Sequence, residues 1–454
     1  MKRILTSIFV LLSMVSMAQE KHVLTLDDCR NLALENSPEM KKASLTMTSA
    51  EALKAEARWL YLPNVSMSAY AFAAQHDMIT VGVLDIFGKN ELGYNLDALW
   101  DESYAELGGT QQINALRAGQ HVGISLFQPV FTGGRIVGLN RLADLTVEAA
   151  GVMNSMSKRQ MLESVEKNYF LVSSLQMKQK WVDKLQSLLD TLDTIADVAY
   201  GEKVVLKSDM LLLDSKKMEF EAAKLKLKTG MRLAKMNLLN STGIKYRVLE
   251  LDDYEFPVVS ADGIPSPSDV YVDEESAVGN LEESRLLSMR VDALETSRRI
   301  TLGGALPQVG IGASYGYNHI VDHDGRWNGS VYAGVSVPIT GWGRTAQKLK
   351  RNQASIDKAI IDRDHYQDML VLLLRKYYME LESAWDAMNL AKSQLDRSEY
   401  LYEQAQVSYD AGYSTIAELL QVYANLFEAE DKWSESVGDY MEALQAYVGR
   451  TSEE

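Results

Sequence analysis

The chain has 454 residues, 46% of them hydrophobic and 24% charged, with 62 acidic against 46 basic side chains and a formal net charge of −16. That balance argues against nucleic acid as a partner, because phosphates attract lysine and arginine. Cys29 stands alone, so no internal disulfide is possible, and beyond the N-terminal leader no apolar run reaches the ~18 residues that a membrane-crossing helix needs.

The leader reads MKRILTSIFVLLSMVSMAQE. Lys2 and Arg3 make a basic start, Ile4 to Met17 is mostly apolar, and Ser16 and Ala18 are small enough for cleavage before Gln19. Residues 1–18 are therefore expected to be a signal peptide. An uncleaved anchor is the competing reading, for which the apolar stretch is short. Cys29 lies too far on to carry a lipid anchor.

Beyond the leader the chain writes one plan twice. ALEN at 33–36 answers AVGN at 277–280, and YLPNVSMSAY at 61–70 answers ALPQVGIGAS at 305–314. PVFTGGR at 129–135 answers PITGWGR at 338–344. The first copy is assigned to 19–242, a linker to 243–268 and the second copy to 269–451. Three of the eight prolines, Pro257, Pro265 and Pro267, fall in the linker. Two copies are too few for a solenoid, which stacks three or more.

In chain order, a helix is expected over 38–61, opened by Pro38, whose fixed φ suits a first turn. An alternating run follows at 64–72, with Tyr70 and Phe72 on the Ser66 and Ser68 side. An insertion peculiar to the first copy, 76–119, is rich in aromatics and glycine. Val122, Ile124 and Leu126 then alternate with His121, Gly123 and Ser125. After the junction, 135–199 carries no proline, and Leu142, Leu145, Ala149, Val152 and Met156 keep a heptad spacing, so a long helix is expected. YGEKVVLKSD at 200–209 is a turn, and 207–240 a returning helix. In the second copy, 308–317 and 330–337 alternate apolar residues with glycine and serine, as strands do. The long helix 344–408 has a seam at Tyr377, Leu381, Ala384, Met388, Ala391, Leu395, Ser398, Tyr402 and Ala405. After the turn YDAGYSTIAE, the helix 416–448 continues it through Leu419, Tyr423, Leu426, Trp433, Val437, Tyr440, Leu444 and Tyr447. Glu430 is the polar exception in that seam.

Lengths constrain the architecture. Residues 135–198 run about 96 Å as a helix, while 207–240 covers about 51 Å and 38–61 about 36 Å. Each copy therefore reads as a hairpin with one continuous leg and one broken leg. A plain coiled coil explains the helices equally well, and a soluble sandwich is the competing reading for the strands. Four strands cannot close a barrel, however, and leave two open edges. Shared among identical chains they close a ring whose apolar face meets lipid and whose Gly/Ser face meets water. Each junction is then the bend from strand to helix. Pro129 and Pro338 end the strands, Gly133, Gly134, Gly341 and Gly343 supply the turn, and Arg135 and Arg344 stand at the polar boundary.

With these pieces in place the chain resembles the TolC family of outer-membrane efflux channels. The resemblance rests on LTLDDCRNLALENSPEM, WLYLPNVSMSAY with ALPQVGIGASY, the paired junctions and AGYSTIAELL, in family order from about Leu24 to Thr451. It implies an α+β membrane protein working as a homotrimer. Twelve strands, four per chain, form a β-barrel in outer-membrane lipid, and helices continue it as a long periplasmic barrel. A periplasmic adaptor and an inner-membrane pump are the implied partners. Asp209 matches an acid that ties the tips together, Tyr413 its aromatic partner and Glu418 an acid lining the aperture. The second tip is shorter than in the family pattern, it lacks the expected basic residue, and Gln421 stands where a second aperture acid belongs. Lys203 and Lys207 offer positive charge from the other tip. From the residues alone, Asp209 and Glu418 are equally well placed as helix N-terminal acids.

HIVDHDGR at 319–326 offers His319, Asp322, His323 and Asp324 as metal ligands, although an exposed turn is the simpler reading. No nucleophile elbow, phosphate loop, dinucleotide fingerprint or zinc-protease helix occurs, so neither enzyme activity nor a cofactor is expected. The expected function is a passive exit channel for small molecules in a tripartite efflux system. A type I protein-secretion duct is the alternative, and a periplasmic coiled-coil scaffold or adaptor the alternative of another class.

Overall fold

The computed structural model describes residues 22–76, 79–82, 112–115, 118–202, 206–259, 263–320 and 323–452. The leader, most of the 76–119 insertion, Lys203 and Asp322 lie outside the described residues. In chain order the elements are β1 (His22–Val23), α1 (Leu26–Asn36), α2 (Pro38–Trp59), β2 (Asn64–Ala73), β3 (Ile79–Gly82), β4 (Gln112–Ala115) and β5 (Ala118–Phe131). The long helix α3 (Arg135–Gly201) and its return α4 (Lys207–Ser241) follow, then β6 (Tyr254–Glu255). The second half has α5 (Glu274–Val278), α6 (Glu282–Gly303), β7 (Gln308–Ile320), β8 (His323–Ser336), α7 (Trp342–Asp410) and α8 (Ile416–Thr451). The chain divides into two compact units, and each draws on both halves of the sequence.

One unit comprises Glu51–Thr146 and Val291–Asp357. Its sheet has the order β2-β5-β7-β8, antiparallel throughout. The two inner strands, β5 and β7, come one from each half of the chain, with Ser125 opposite Ser314. A separate ribbon pairs β3 with β4, Ile79 opposite Ala115. The register of β5 against β7 shifts between Pro129 and Phe131. Proline has no N–H for the ladder, and a bulge is where an inner strand tolerates one. Pro129 therefore does not end the strand as expected; β5 runs on to Phe131. Below the sheet, α2 meets α3, where Asn140 Nδ2 donates to the Ala57 carbonyl at 2.9 Å and Lys54 pairs with Asp144 at 2.8 Å. In the same unit Asn352 Nδ2 of α7 donates to Thr301 Oγ1 of α6 at 3.0 Å.

The other unit holds α1, α4, α5 and α8 whole, with the remaining parts of α2, α3, α6 and α7. Helix α1 starts in a capping box: Asp28 N–H donates to Thr25 Oγ1 at 3.2 Å, and Thr25 N–H to the Asp28 carboxylate at 3.0 Å. The Thr25 hydroxyl, which donates to the Asp28 carboxylate at 2.6 Å, and then the Thr25 N–H hold that carboxyl below the ordinary carboxylate range. Pro38 opens α2 directly after Ser37. Cys29 and Ala33 of α1 pack on Met161, Val165 and Tyr169 of α3 and on Leu238 of α4. A second core joins Leu381 and Met388 of α7 to Val437, Tyr440, Leu444 and Tyr447 of α8, the seam read from the sequence. A third core lies at the turn ends and contains Leu189, Leu192, Leu213, Ile416, Leu419 and Tyr423.

Within the segment 243–268, expected as a linker, the described residues 243–259 and 263–268 form a strap pinned to these helices. Leu251 and Phe256 are buried in the first core. Tyr169 donates its hydroxyl to the Pro257 carbonyl at 2.8 Å, the Val259 N–H donates to Ser173 Oγ, and Tyr440 donates to the Pro265 carbonyl. Just beyond the strap, the Tyr447 hydroxyl accepts from Val272 N–H at 3.0 Å. Each such bond is worth about 1 kcal/mol net, while a buried carbonyl left unpaired costs about 1–3 kcal/mol.

Candidate functional site

The pleat sorts the sheet into two unlike faces, because residues opposite one another on neighbouring strands share a face. Val65, Leu126, Ala313 and Val331 form one row, and Met67, Ile124, Tyr315 and Gly329 the next. Further along the same face, Tyr315 stacks on Trp327 with centroids 5.4 Å apart. The opposite face is mostly small and polar, with Phe72 and Phe127 as apolar exceptions. Ser66, Ser125, Ser314 and Ser330 make an unbroken row across all four strands. Their hydroxyls pair at 2.8 Å between Ser66 and Ser125 and again between Ser314 and Ser330. Two rows further towards the β7–β8 turn stand Tyr70, His121, Asn318 and Arg326. The Tyr70 and His121 rings lie 4.9 Å apart, and His121 Nδ1 bonds Asn318 Oδ1 at 2.7 Å. Tyr70, which broke the alternation in the sequence, is thus part of a polar row.

The two junctions are built differently. At the first, Gly133 (φ 65°) and Gly134 (φ 82°) adopt the left-handed region that suits glycine. Gly133 also meets Gly303, the last residue of α6, backbone to backbone, and Gly138 meets the Ile300 side chain. Arg135 is exposed, and its stem lies against Gly303. At the second, Pro338 caps a short 3-10 turn, Ile339–Gly341, and α7 starts at Trp342. Gly341 is part of that turn and Gly343 is already helical, so neither supplies a left-handed bend. Instead the Trp342 indole N–H donates to the Ala305 carbonyl at 3.0 Å. Arg344 is exposed. The variable position between the glycines of PITGWGR therefore holds the residue that fastens the turn, which motif matching passes over.

The expected loop at 319–326 is shorter than its composition suggests. β7 continues through His319, β8 begins at His323, and only 321–322 separate them. Among the described residues no cluster of three or more His, Cys, Asp or Glu gathers to hold a metal.

At the turn ends, Asp209 sits in the first turn of α4 with Ser208 Oγ 3.4 Å from its carboxylate. Gly412 (φ 79°) ends α7, and Tyr413 N–H reaches back to the Ser408 carbonyl at 2.8 Å. This closure leaves the Tyr413 side chain 88% exposed. Glu418 closes a capping box on α8: its carboxylate accepts from Thr415 N–H at 2.9 Å, and its own N–H donates to Thr415 Oγ1 at 3.2 Å. Among the described residues no hydrogen bond joins Asp209 to Tyr413; the tips are held by the apolar core around Leu213, Ile416 and Leu420.

Comparison with known proteins agrees with this geometry. The model of the family described as outer membrane efflux protein matches residues 285–447. No curated protein matches the chain by sequence. Among solved structures, the outer membrane protein VceC of Vibrio cholerae superposes with a TM-score of 0.74 at 13% identity, covering 94% of this chain and 95% of its own. The CmeC outer membrane channel of Campylobacter jejuni superposes with a TM-score of 0.73 at 13% identity, covering 94% of this chain and 87% of its own. Residues 285–447 match the outer membrane efflux protein family, and the chain as a whole carries the fold of the solved outer-membrane channels.

Proposed function

We propose that the chain is the outer-membrane exit duct of a tripartite efflux system, conducting small molecules passively as a homotrimer. One observation carries this reading: a four-stranded sheet whose outer strands β2 and β8 have no further partner among the described residues, apolar on one face and serine-lined on the other. Open edges demand partners, and two further copies supply them by closing a twelve-stranded ring. The Val65 and Val331 face then meets lipid, and the serine row lines water. A second support comes from apolar side chains left exposed on single helices. Leu211, Met218 and Leu225 recur every seventh residue on α4, and Leu372 and Met379 do so on α7. Stripes of this spacing pack against neighbouring helices. A periplasmic adaptor would engage the turn ends, and the pump beyond it would supply the energy. The deciding experiment is electrophoresis of the full chain in mild detergent. A trimer that dissociates only on heating is expected; a monomer soluble without detergent overturns the reading.

On this reading three Glu418 carboxylates, one per chain, ring the aperture and favour cations. Asp209 and Tyr413 belong to the same constriction. Glu418→Gln keeps an acceptor for Thr415 N–H but removes the charge, so it should lower the cation-to-anion permeability ratio several-fold in planar bilayers. Thr415→Ala removes the cap, worth about 1 kcal/mol. It should speed amide exchange over 416–420 roughly fivefold while leaving selectivity unchanged. Equal selectivity of Glu418→Gln and wild type would remove Glu418 from the aperture.

A further inference from the structure

The chain carries a net charge of −16, yet one band of it is basic. Four helices meet the four-stranded sheet: α2 and α3 from the first half of the chain, α6 and α7 from the second. In the ten residues of each that lie nearest the sheet, ten Lys and Arg stand against four Asp and Glu. Two of those acids are already engaged, Asp144 by Lys54 at 2.8 Å and Glu295 by Arg299 at 3.7 Å. Each of the four connections has its own arginine: Arg58, Arg135, Arg298 and Arg344. All four are exposed, and among the described residues none of them pairs with a carboxylate. On α7, Lys348 and Arg351 follow Arg344 on one side of the helix, and both are exposed.

Exposed apolar and aromatic side chains come first along each path from sheet to cation. At β2 the order is Val65, Tyr61, Trp59 and then Arg58; at β8 it is Val335, Ile339, Trp342 and then Arg344. Phe131 precedes Arg135, and Leu302 stands between β7 and Arg298. Hydrocarbon, amphipathic ring, then cation is the order in which a membrane offers acyl chains, interface and phosphates.

We propose that these cations form a collar that binds the headgroups of anionic phospholipids in the periplasmic leaflet. The inference rests on the reading that the sheet lies in lipid. Charge selects the headgroup. A zwitterionic lipid brings its own cation towards the arginines, whereas phosphatidylglycerol brings only its phosphate. A guanidinium also grips a phosphate through two parallel N–H bonds, which an ammonium does not. Each Lys or Arg beside an anionic surface is worth roughly fivefold in affinity, and less as salt screens it.

The test uses the detergent-solubilised full chain, stripped of lipid and offered equal amounts of phosphatidylglycerol and phosphatidylcholine. Lipid retained per chain is read by native mass spectrometry. Wild type should favour phosphatidylglycerol by about fivefold or more at low salt, and the preference should shrink as salt rises to about 0.5 M. Combining Arg58→Gln, Arg298→Gln and Arg344→Gln should bring the two lipids close to parity without loss of the trimer. The same three positions changed to lysine should keep most of the preference. Arg135, whose stem lies against Gly303, is left in place. A wild-type trimer that retains both lipids equally, or a triple glutamine variant with undiminished preference, overturns the collar and leaves the duct reading standing. A triple variant that loses the trimer, beside a wild type with no lipid preference, assigns the cations to a neighbouring copy and overturns the collar too. A soluble monomer that retains neither lipid overturns the duct reading and the collar together.

Discussion

Gly133→Ala should remove most of the heat-resistant, membrane-inserted protein, whereas Gly134→Ala at the next position should be tolerated. Both glycines have positive φ, 65° and 82°, so an L-residue at either costs about 1–2 kcal/mol in backbone strain. Their surroundings separate them. A Cβ on Gly133 falls well inside contact distance of the Gly303 carbonyl oxygen and 2.9 Å from its Cα, whereas a Cβ on Gly134 meets nothing within 4 Å. The obstacle is main chain, which cannot rotate aside as a side chain does. Overpacking of this kind adds about 1–3 kcal/mol or more, and against a total stability of about 5–15 kcal/mol the combined loss is large. The reciprocal change Gly303→Ala drives a Cβ into the Gly133 carbonyl and should match Gly133→Ala. The readout is the yield of trimer in outer-membrane fractions, with the denaturant midpoint of whatever survives. Equal yields for the two alanine variants at 133 and 134 would show that the approach of α3 to α6 is not a constraint on folding.

The same region marks the boundary of what the sequence discloses. Alternation located four strands because one face of each is apolar over most of its length, and that property is local. The expected runs at 64–72, 121–126, 308–317 and 330–337 lie in β2, β5, β7 and β8, apart from Val337 just past β8. The strand ends escaped. β8 starts at His323 because HDGRWNG, turn-like in composition, is drawn into the ladder by β7. The long helices declared themselves through heptads and absent prolines. By contrast, the strap depends on the hydroxyl of Tyr169, which no pattern singled out, and on that of Tyr440, which read only as a seam residue. The difference between the junctions depends on Gly303 and Ala305, which belong to neither motif. Glu430 was visible as an exception, but its burial to 1% exposure comes from helices distant in sequence and has no local signature.

Val331→Arg should sharply reduce insertion, and Ser330→Arg much less, although the two positions are adjacent. Val331 is 85% exposed in the single chain, midway along β8, and its row continues through Ala313, Leu126 and Val65. If that face meets lipid, an arginine near the bilayer midplane costs about 2–4 kcal/mol in every chain. A trimer carries three such residues at one level, so the penalty is multiplied on assembly. Ser330 points the other way and shares a 2.8 Å hydroxyl pair with Ser314. Losing that bond costs about 1 kcal/mol, and a guanidinium in a water-filled bore stays solvated. What Ser330→Arg should change is conduction, since three added cations repel permeating cations at the serine row. The paired measurement is therefore trimer yield together with single-channel cation selectivity. Loss of yield in Val331→Arg and loss of cation preference in Ser330→Arg assign the two faces independently. Equal yields with unchanged selectivity would mean that oil does not lie on one side of this sheet and water on the other.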